Sequence, residues 1–199
     1  MSENFWNERY SSEEYAYGTE PSKLLQLQLK LLRAGKILFP AEGEGRNAVY
    51  AAQCGWNVTA FDQSTEGKRK ALLLAESKNV RIEYFIESFE SISLATNDYD
   101  ALALMFVHIP SEVRTMIHRK FLSYLKPGGI VILEAFTKNQ LQYSSGGPKN
   151  LNQLYSLNEI AADFDECDML LGEEKIVTLN EGQYHSGDAS VIHFVGKKR

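Results

Sequence analysis

Cysteine is scarce: Cys54 and Cys167 are the only two, far apart and outside any C-x-x-C spacing. That excludes a disulfide scaffold and gives no support to a thiolate metal centre, so no metal is expected. Cys54, one residue before a glycine stop at Gly55, reads as a small buried hydrophobe at a helix end. No apolar run approaches membrane-spanning length, and the opening MSENFWNERY lacks the features of a secretory leader. A cytoplasmic protein with no membrane partner is the expectation. Positive charge is also in short supply. The net charge of −5 suits a phosphate backbone poorly, which argues against nucleic acid as a partner. The basic runs are short: Lys68-Arg69-Lys70 reads as a solvated helix face and Lys197-Lys198-Arg199 as a soluble tail. No repeat, low-complexity tract or Pro/Ser-rich linker marks a boundary. The 199 residues, 44% hydrophobic and 24% charged, therefore read as one globular domain.

What is present is an alternation of strand and helix patterns. The stretch PSKLLQLQLKLLRAG, residues 21–35, predicts a helix by its Pro-Ser start and Gly35 stop. KILFP then reads as a short buried strand, GRNAVYAAQCG as a helix, NVTAFD as a strand, TEGKRKALLLAESKN as a helix, and VRIEYFI and YDALALMFV as two more strands. SEVRTMIHRKFLSYL predicts an amphipathic helix capped by Ser111. KPGG reads as a turn and IVILEAF as a fifth strand, followed by an irregular segment at 137–155. Ser156 and Glu159 form a capping-box pattern before SLNEIAADF. The last two strand patterns, EEKIVTLNEG and ASVIHFVGK, are joined too closely for a helix, so one must run against the others. The expected fold is α/β: a doubly wound, Rossmann-like, seven-stranded sheet, mostly parallel, with a C-terminal antiparallel hairpin.

In such a sheet ligands bind at the carboxyl ends of strands, where strand order reverses. The first strand ends in AEGEGRNA, which fits G-x-G-x-x-A from Gly43 to Ala48. Gly43 and Gly45 let the backbone turn sharply and approach a ligand closely, and the following helix start offers unpaired N–H groups. Asp62 ends the second strand, where a carboxylate can accept both hydroxyls of an adenosine ribose. These features alone do not separate NAD from S-adenosylmethionine. Three others favour the latter: the aromatic segment before the unit, the IESFESI run with Glu87, Ser88 and Phe89 after the third strand, and LKPGG with the closing hairpin.

In order and spacing, FWNERYSSEEYAYGTEP, AEGEGRNAVYAA, VTAFDQS, LKPGGIVILEAF and the late GGP resemble the small class I S-adenosylmethionine-dependent methyltransferases. The resemblance is strongest to the tellurite-resistance and thiopurine-methyltransferase-like branch, and covers nearly the whole chain. There is a departure. The usual acid within the first strand is Phe39 here and the first glycine is Ala41, while Glu42 sits inside the turn. The resemblance implies that Ala41, Glu42, Gly43, Gly45 and Arg46 surround the methionine moiety. Asp62, Gln63 and Ser64 would meet the ribose, Glu87, Ser88 and Phe89 would border the adenine, and Phe106 and His108 would face the transferring methyl. Two readings of Glu42 stand: it faces the methionine ammonium, directly or through water, or it faces solvent. Arg46 likewise either caps the methionine carboxylate or pairs with local acids.

The implied chemistry is methyl transfer to a small-molecule acceptor such as a thiol or a metalloid, with S-adenosyl-L-methionine as cofactor. His108, Tyr143 and His185 are the catalytic candidates. His185, in a hairpin loop, reads more readily as a surface histidine, and His118 and His193 as structural or exposed. The long segment 137–155 would line the acceptor pocket, and residues 1–20, with Trp6, Tyr10, Tyr15 and Tyr17, would form a lid whose aromatic faces suit a sulfonium. No N-P-P-Y or D-P-P-Y stretch is present, FVHI standing in its place. A nicotinamide-dependent reductase and a non-catalytic nucleotide-binding protein remain the competing readings.

Overall fold

A computed structural model describes residues 3–199; Met1 and Ser2 of the expected lid lie outside the described residues. Seven strands form one sheet in the order β3-β2-β1-β4-β5-β7-β6. The chain groups into two compact units, one up to Ser93 with Glu181–Tyr184, the other Leu94–Asn180 with His185–Arg199.

The first unit holds α1 (Glu3–Tyr10), α2 (Lys23–Leu29), β1 (Lys36–Pro40), α3 (Arg46–Gln53), β2 (Asn57–Asp62), α4 (Thr65–Ser77) and β3 (Glu83–Ile86). β1 and β2 are near-continuous apolar runs because a parallel strand is covered on both faces. β2 pairs in parallel with β1 on one side and with β3 on the other. Pro40, opposite Phe61, closes β1 and does not interrupt it. Ser22 caps α2 as its Pro-Ser start predicts, but the helix ends at Leu29, short of Gly35. Leu24, Leu25 and Leu29 are buried, whereas Leu31 is 78% exposed: the apolar residues leave the packed face, and the helix stops with them. Cys54, expected to be buried, is exposed at the C-cap of α3.

The second unit holds β4 (Tyr99–Met105), α5 (Ser111–Tyr124), β5 (Leu125–Phe136), α6 (Leu157–Asp163), β6 (Cys167–Asn180) and β7 (Ser186–Lys198). β4 and β5 are parallel, and β7 is antiparallel to both β5 and β6, as the short connection requires. The KPGG turn is absorbed into β5 as a register shift, pairing passing from Tyr99↔Leu125 to Ala101↔Ile130. Ser111 is the first residue of α5 and not its cap; Pro110, held extended at φ −55 and ψ 140, takes the cap position without a side-chain bond. The capping box of Ser156 and Glu159 is fully formed.

Both basic runs differ from expectation. Lys70 is 2% exposed because its ammonium pairs with Glu44. Lys198 ends β7 and donates to the carbonyls of Leu122 and Leu125, so the C-terminal cations close a strand and are not a tail. Among the described residues no helix is long and apolar enough to cross a membrane.

Candidate functional site

Along the sheet, strand order reverses at β1, and the chain leaves β1 through Ala41–Gly45 into α3. Three of those residues are left-handed: Ala41 at φ 50, Gly43 at φ 63 and Gly45 at φ 89. The glycines are required by neighbours as well as by the turn. A Cβ on Gly43 would lie 2.6 Å from the Tyr10 hydroxyl, and one on Gly45 would lie 2.6 Å from the Ala71 methyl. Ala41 adopts a conformation that a glycine would take freely.

Glu42 determines what this turn can receive. Its Oε1 accepts the N–H groups of Asn47 and Ala48, both at 2.8 Å. The helix start, expected to offer unpaired donors, is therefore capped by a carboxylate of its own chain. A dinucleotide pyrophosphate seated in the usual way at this helix start would meet an anion in place of the donors it needs. Burial drives the Glu42 pKa up to about 7, opposed by the Ala48 N–H, Arg46 and the Asn47 N–H.

Asp62 takes part in the same turn. Its Oδ2 accepts from Gly43 N–H at 3.1 Å and its Oδ1 from Ser64 N–H at 2.9 Å. Burial raises its pKa to about 6 against those bonds. The Tyr84 hydroxyl donates to the Gly43 carbonyl at 2.6 Å, anchoring the turn from β3. The remaining local charges are already matched. Lys70 holds Glu44 at 2.6 Å, while Arg46 holds Glu181 at 2.9 Å and the Glu20 carbonyl at 3.1 Å. Of the two readings of Arg46, the structure has the one with local acids.

Ser64 caps α4, its Oγ accepting from Gly67 N–H at 3.0 Å and donating to Asn7 Oδ1 at 2.7 Å. Gln63 beside it is partly buried. After β3, Ser88 organises its own turn by accepting from the N–H groups of Glu90 and Ser91, each at 3.2 Å. Glu87 accepts from the Ser91 hydroxyl at 2.6 Å, and Phe89 meets Phe61 edge-on at 6.4 Å.

The N-terminal segment is folded onto the turn. Tyr10 is buried with its hydroxyl over Gly43, and Trp6 stacks on it at 5.5 Å. Burial first, and then the Asp62 charge, hold the Tyr10 pKa well above the ordinary phenol value. Lys70 ties the segment down further through the carbonyls of Ser12 and Glu14. Arg9 lies over Tyr184 at 3.8 Å, and Tyr184 N–H reaches the Ala16 carbonyl at 3.4 Å, so residues 181–184 belong to this unit. Asn7, Tyr184 and Glu181 were not legible as site-forming residues; no local motif marks them.

The second unit gathers an aromatic group of its own. Phe106, bulky yet at φ 56, follows β4. Its ring lies 4.8 Å from Phe136 and 4.6 Å from His185. His108 stacks on Phe136 at 5.5 Å, its Nδ1 2.7 Å from the Gln153 carbonyl and its Nε2 3.3 Å from Phe136 N–H. That pattern assigns the proton to Nδ1. Burial lowers the His108 pKa to about 4, so it is neutral with both nitrogens engaged. His185, read as a surface residue, is only 6% exposed and meets Phe136 edge-on at 5.2 Å. Tyr155, unmarked in the sequence, accepts from Ile109 N–H and donates to the Val107 carbonyl, clamping the residues around His108. Gln140 orders the long segment, accepting from Ser190 N–H at 2.8 Å and donating to Ser145 and the Gly146 carbonyl. Tyr143 follows at the end of that 3-10 turn, half-buried. His118 and His193 are structural, paired with Asp163 and Glu134.

A family model described as "Methyltransferase domain" matches residues 37–129. A ubiquinone biosynthesis O-methyltransferase of Xanthomonas axonopodis pv. citri is 26% identical over 145 residues, covering 71% of this chain and 60% of the relative. The chain thus spans about 60% of the length of that curated relative. Among solved structures, TehB from Haemophilus influenzae aligns with a TM-score of 0.74 at 16% identity, over 99% of this chain and 67% of that one. An S-adenosylmethionine-dependent methyltransferase from Methanosarcina mazei aligns with a TM-score of 0.71 at 17% identity, over 90% and 98%. The fold and the glycine turn define a class I, Rossmann-like α/β protein. Residues 37–129 thus match a methyltransferase-domain family, and the fold is the one shared by solved S-adenosylmethionine-dependent methyltransferases.

Proposed function

We propose that this protein transfers a methyl group from S-adenosyl-L-methionine to a small-molecule acceptor, a thiol, a metalloid species or a similar soft nucleophile. The observation that carries the reading is the Glu42 cap on α3. It closes the helix start to a pyrophosphate and supplies negative charge beside a turn of the donor-binding type. That counts against the nicotinamide reading and suits a ligand whose nearest end bears an ammonium and a sulfonium.

Bound at this turn, S-adenosylmethionine would supply an already activated methyl on a positive sulfur. The turn Ala41–Gly45 would hold its methionine end, Asp62 with Gln63 its ribose, and Glu87, Ser88 and Phe89 its adenine. Asp62 suits the ribose because the N–H groups of Gly43, Ser64 and Gln63 orient its carboxyl without using all of its four lone pairs. The N-terminal aromatics would exclude water, Tyr10 lying over Gly43 with Trp6 stacked on it. The protein's contribution is then chiefly near-attack positioning, on the order of 7–11 kcal/mol in favourable cases.

His108 is better read as a positioning residue than as a base, since its ring is neutral and bonded at both nitrogens. Should the acceptor bring a proton, His185 beside Phe106 and Phe136 is the imidazole to test, with Tyr143 as a second candidate. Net charge argues against nucleic acid as the acceptor. The acceptor panel should include phenols because the Xanthomonas relatives are named O-methyltransferases.

Calorimetric titration with S-adenosylmethionine and with NADH divides the enzyme readings. Micromolar binding of the former alone is expected; binding of NADH alone reverses the assignment. Transfer of labelled methyl into thiols, metalloid oxyanions or phenols then separates an enzyme from a non-catalytic binder.

A further inference from the structure

We propose that two copies of this chain associate through β6, strand against antiparallel strand, so that the sheet continues into the second copy. The inference concerns the second unit alone and stands independently of the donor site.

β6 is the outermost strand of the sheet, and among the described residues β7 is its one strand neighbour. Its other edge, over Cys167–Asn180, is a run of backbone donors and acceptors that no strand meets. At 14 residues it is long for such an edge, strands averaging about 5–6 residues. Natural edges are guarded by bulges and lysines. β6 has both, and together they leave a definite stretch open. The bulge falls at Leu170, where pairing with β7 passes from Met169↔Gly196 to Leu171↔Val195. From Leu171 to Asn180 the pairing is regular.

The lysine is Lys175, and Glu173 lies two residues before it with Oε1 2.8 Å from the ammonium, both side chains 41% exposed. When identical strands pair antiparallel, a two-fold axis at Glu174 sets position 173 of each copy opposite position 175 of the other. A lysine that would by itself repel its own copy becomes, with that glutamate, an opposite-charge contact made twice. The same axis sets Leu171 opposite Val177 and Ile176 opposite Gly172. Ile176 is 53% exposed, and Gly172 has no side chain of its own. The space beside Gly172 is walled by Met169 Sδ and Leu157 Cδ1, so an isoleucine arriving there meets apolar atoms. The two copies of Glu174 meet on the axis, but each is drawn aside, its Oε1 accepting from Leu157 N–H at 2.7 Å. An axis at Glu173 or at Lys175 instead sets that charge against itself and loses both opposite-charge contacts. The charge pattern therefore selects one register.

Sedimentation velocity of the full chain over a range of concentrations tests the idea. The native protein should pass from monomer to dimer with a micromolar dissociation constant, because one shared strand edge is a small interface. Lys175→Glu and Glu173→Lys should each weaken that dimer about tenfold, since both contacts become repulsive. An equimolar mixture of the two variants opposes two lysines with two glutamates and should recover the native association. A native protein that stays monomeric at about 1 mM, the weak end of measurable association, overturns the proposal. So does a dimer whose strength neither charge reversal changes, which would place the interface elsewhere. If a charge variant does not fold, hydrogen exchange of the native protein decides. Alternate amides within residues 171–177 should gain protection as concentration rises, and protection independent of concentration overturns the assignment.

Discussion

At the residue scale, Ala41 is where this turn departs from the glycine pattern it resembles. An alanine at φ 50 carries strain of about 1 kcal/mol that a glycine would not. Ala41→Gly should raise the unfolding free energy read from urea denaturation by about 0.5 kcal/mol, and the midpoint with it, once the more flexible unfolded chain is counted. A lowered midpoint would mean that the alanine methyl packs usefully. Asp62 is the opposite case, a residue at which binding, not folding, should suffer most. Asp62→Asn leaves one acceptor oxygen for the backbone but removes the charge that the proposed donor site would offer to ribose hydroxyls. Loss of a charged hydrogen bond, about 1.5–3 kcal/mol, predicts a 10- to 100-fold weaker dissociation constant for S-adenosylhomocysteine by calorimetry. An unchanged constant would place the ribose elsewhere.

At the scale of elements, α5 and α6 are joined by a buried polar cluster that sequence patterns gave no sign of. Asp163 receives Arg114 Nε at 2.6 Å, Thr115 Oγ1 at 2.6 Å and His118 Nδ1 at 2.9 Å. Burial alone would raise the Asp163 pKa, but those three partners hold it down at about 2. Asp163→Ala should destabilise the fold by about 3–5 kcal/mol, because a buried guanidinium loses its counter-charge. Chemical denaturation measures it, and a loss under 1 kcal/mol would show that Arg114 finds another partner. The capping box at the start of α6 has a smaller role. Ser156→Ala should cost about 1 kcal/mol in the same assay, and no measurable change would mean that Glu159 caps the helix without its partner.

For the molecule as a whole, the raised carboxyls set an unusual pH response. Glu42 and Asp62 have folded pKa values of about 7 and about 6, above their unfolded values, so the folded state binds more protons between roughly pH 4.5 and 7. Their contribution to stability is present below that window and is lost as pH rises through it. Asp163 has the reverse sign: its folded pKa is depressed, so its contribution persists in mild acid and is lost only as pH falls toward about 2. Without a donor, thermal unfolding should therefore occur at a higher temperature at pH 6 than at pH 8. Glu42→Gln should reduce that difference, and an unchanged difference would assign it to other groups.

Much of this protein was legible in the order of its residues. Alternating apolar runs and glycine stops placed the strands and helices, since those signals act over a few residues. The short link between the last two strands required the antiparallel hairpin, and Ser156 with Glu159 announced their own cap. The glycine turn and Asp62, which bond to each other in the structure, were legible for the same local reason. What only the tertiary structure decided is where each polar group finds its partner. Lys70 is buried because Glu44 lies across from it, Glu42 turns back to cap α3, and His185 is packed among aromatic rings. Tyr10 fills the space above Gly43 from the far end of the chain. Those pairings join residues distant in sequence, and a buried charge or hydroxyl settles by the donors that folding brings to it, which no local pattern records.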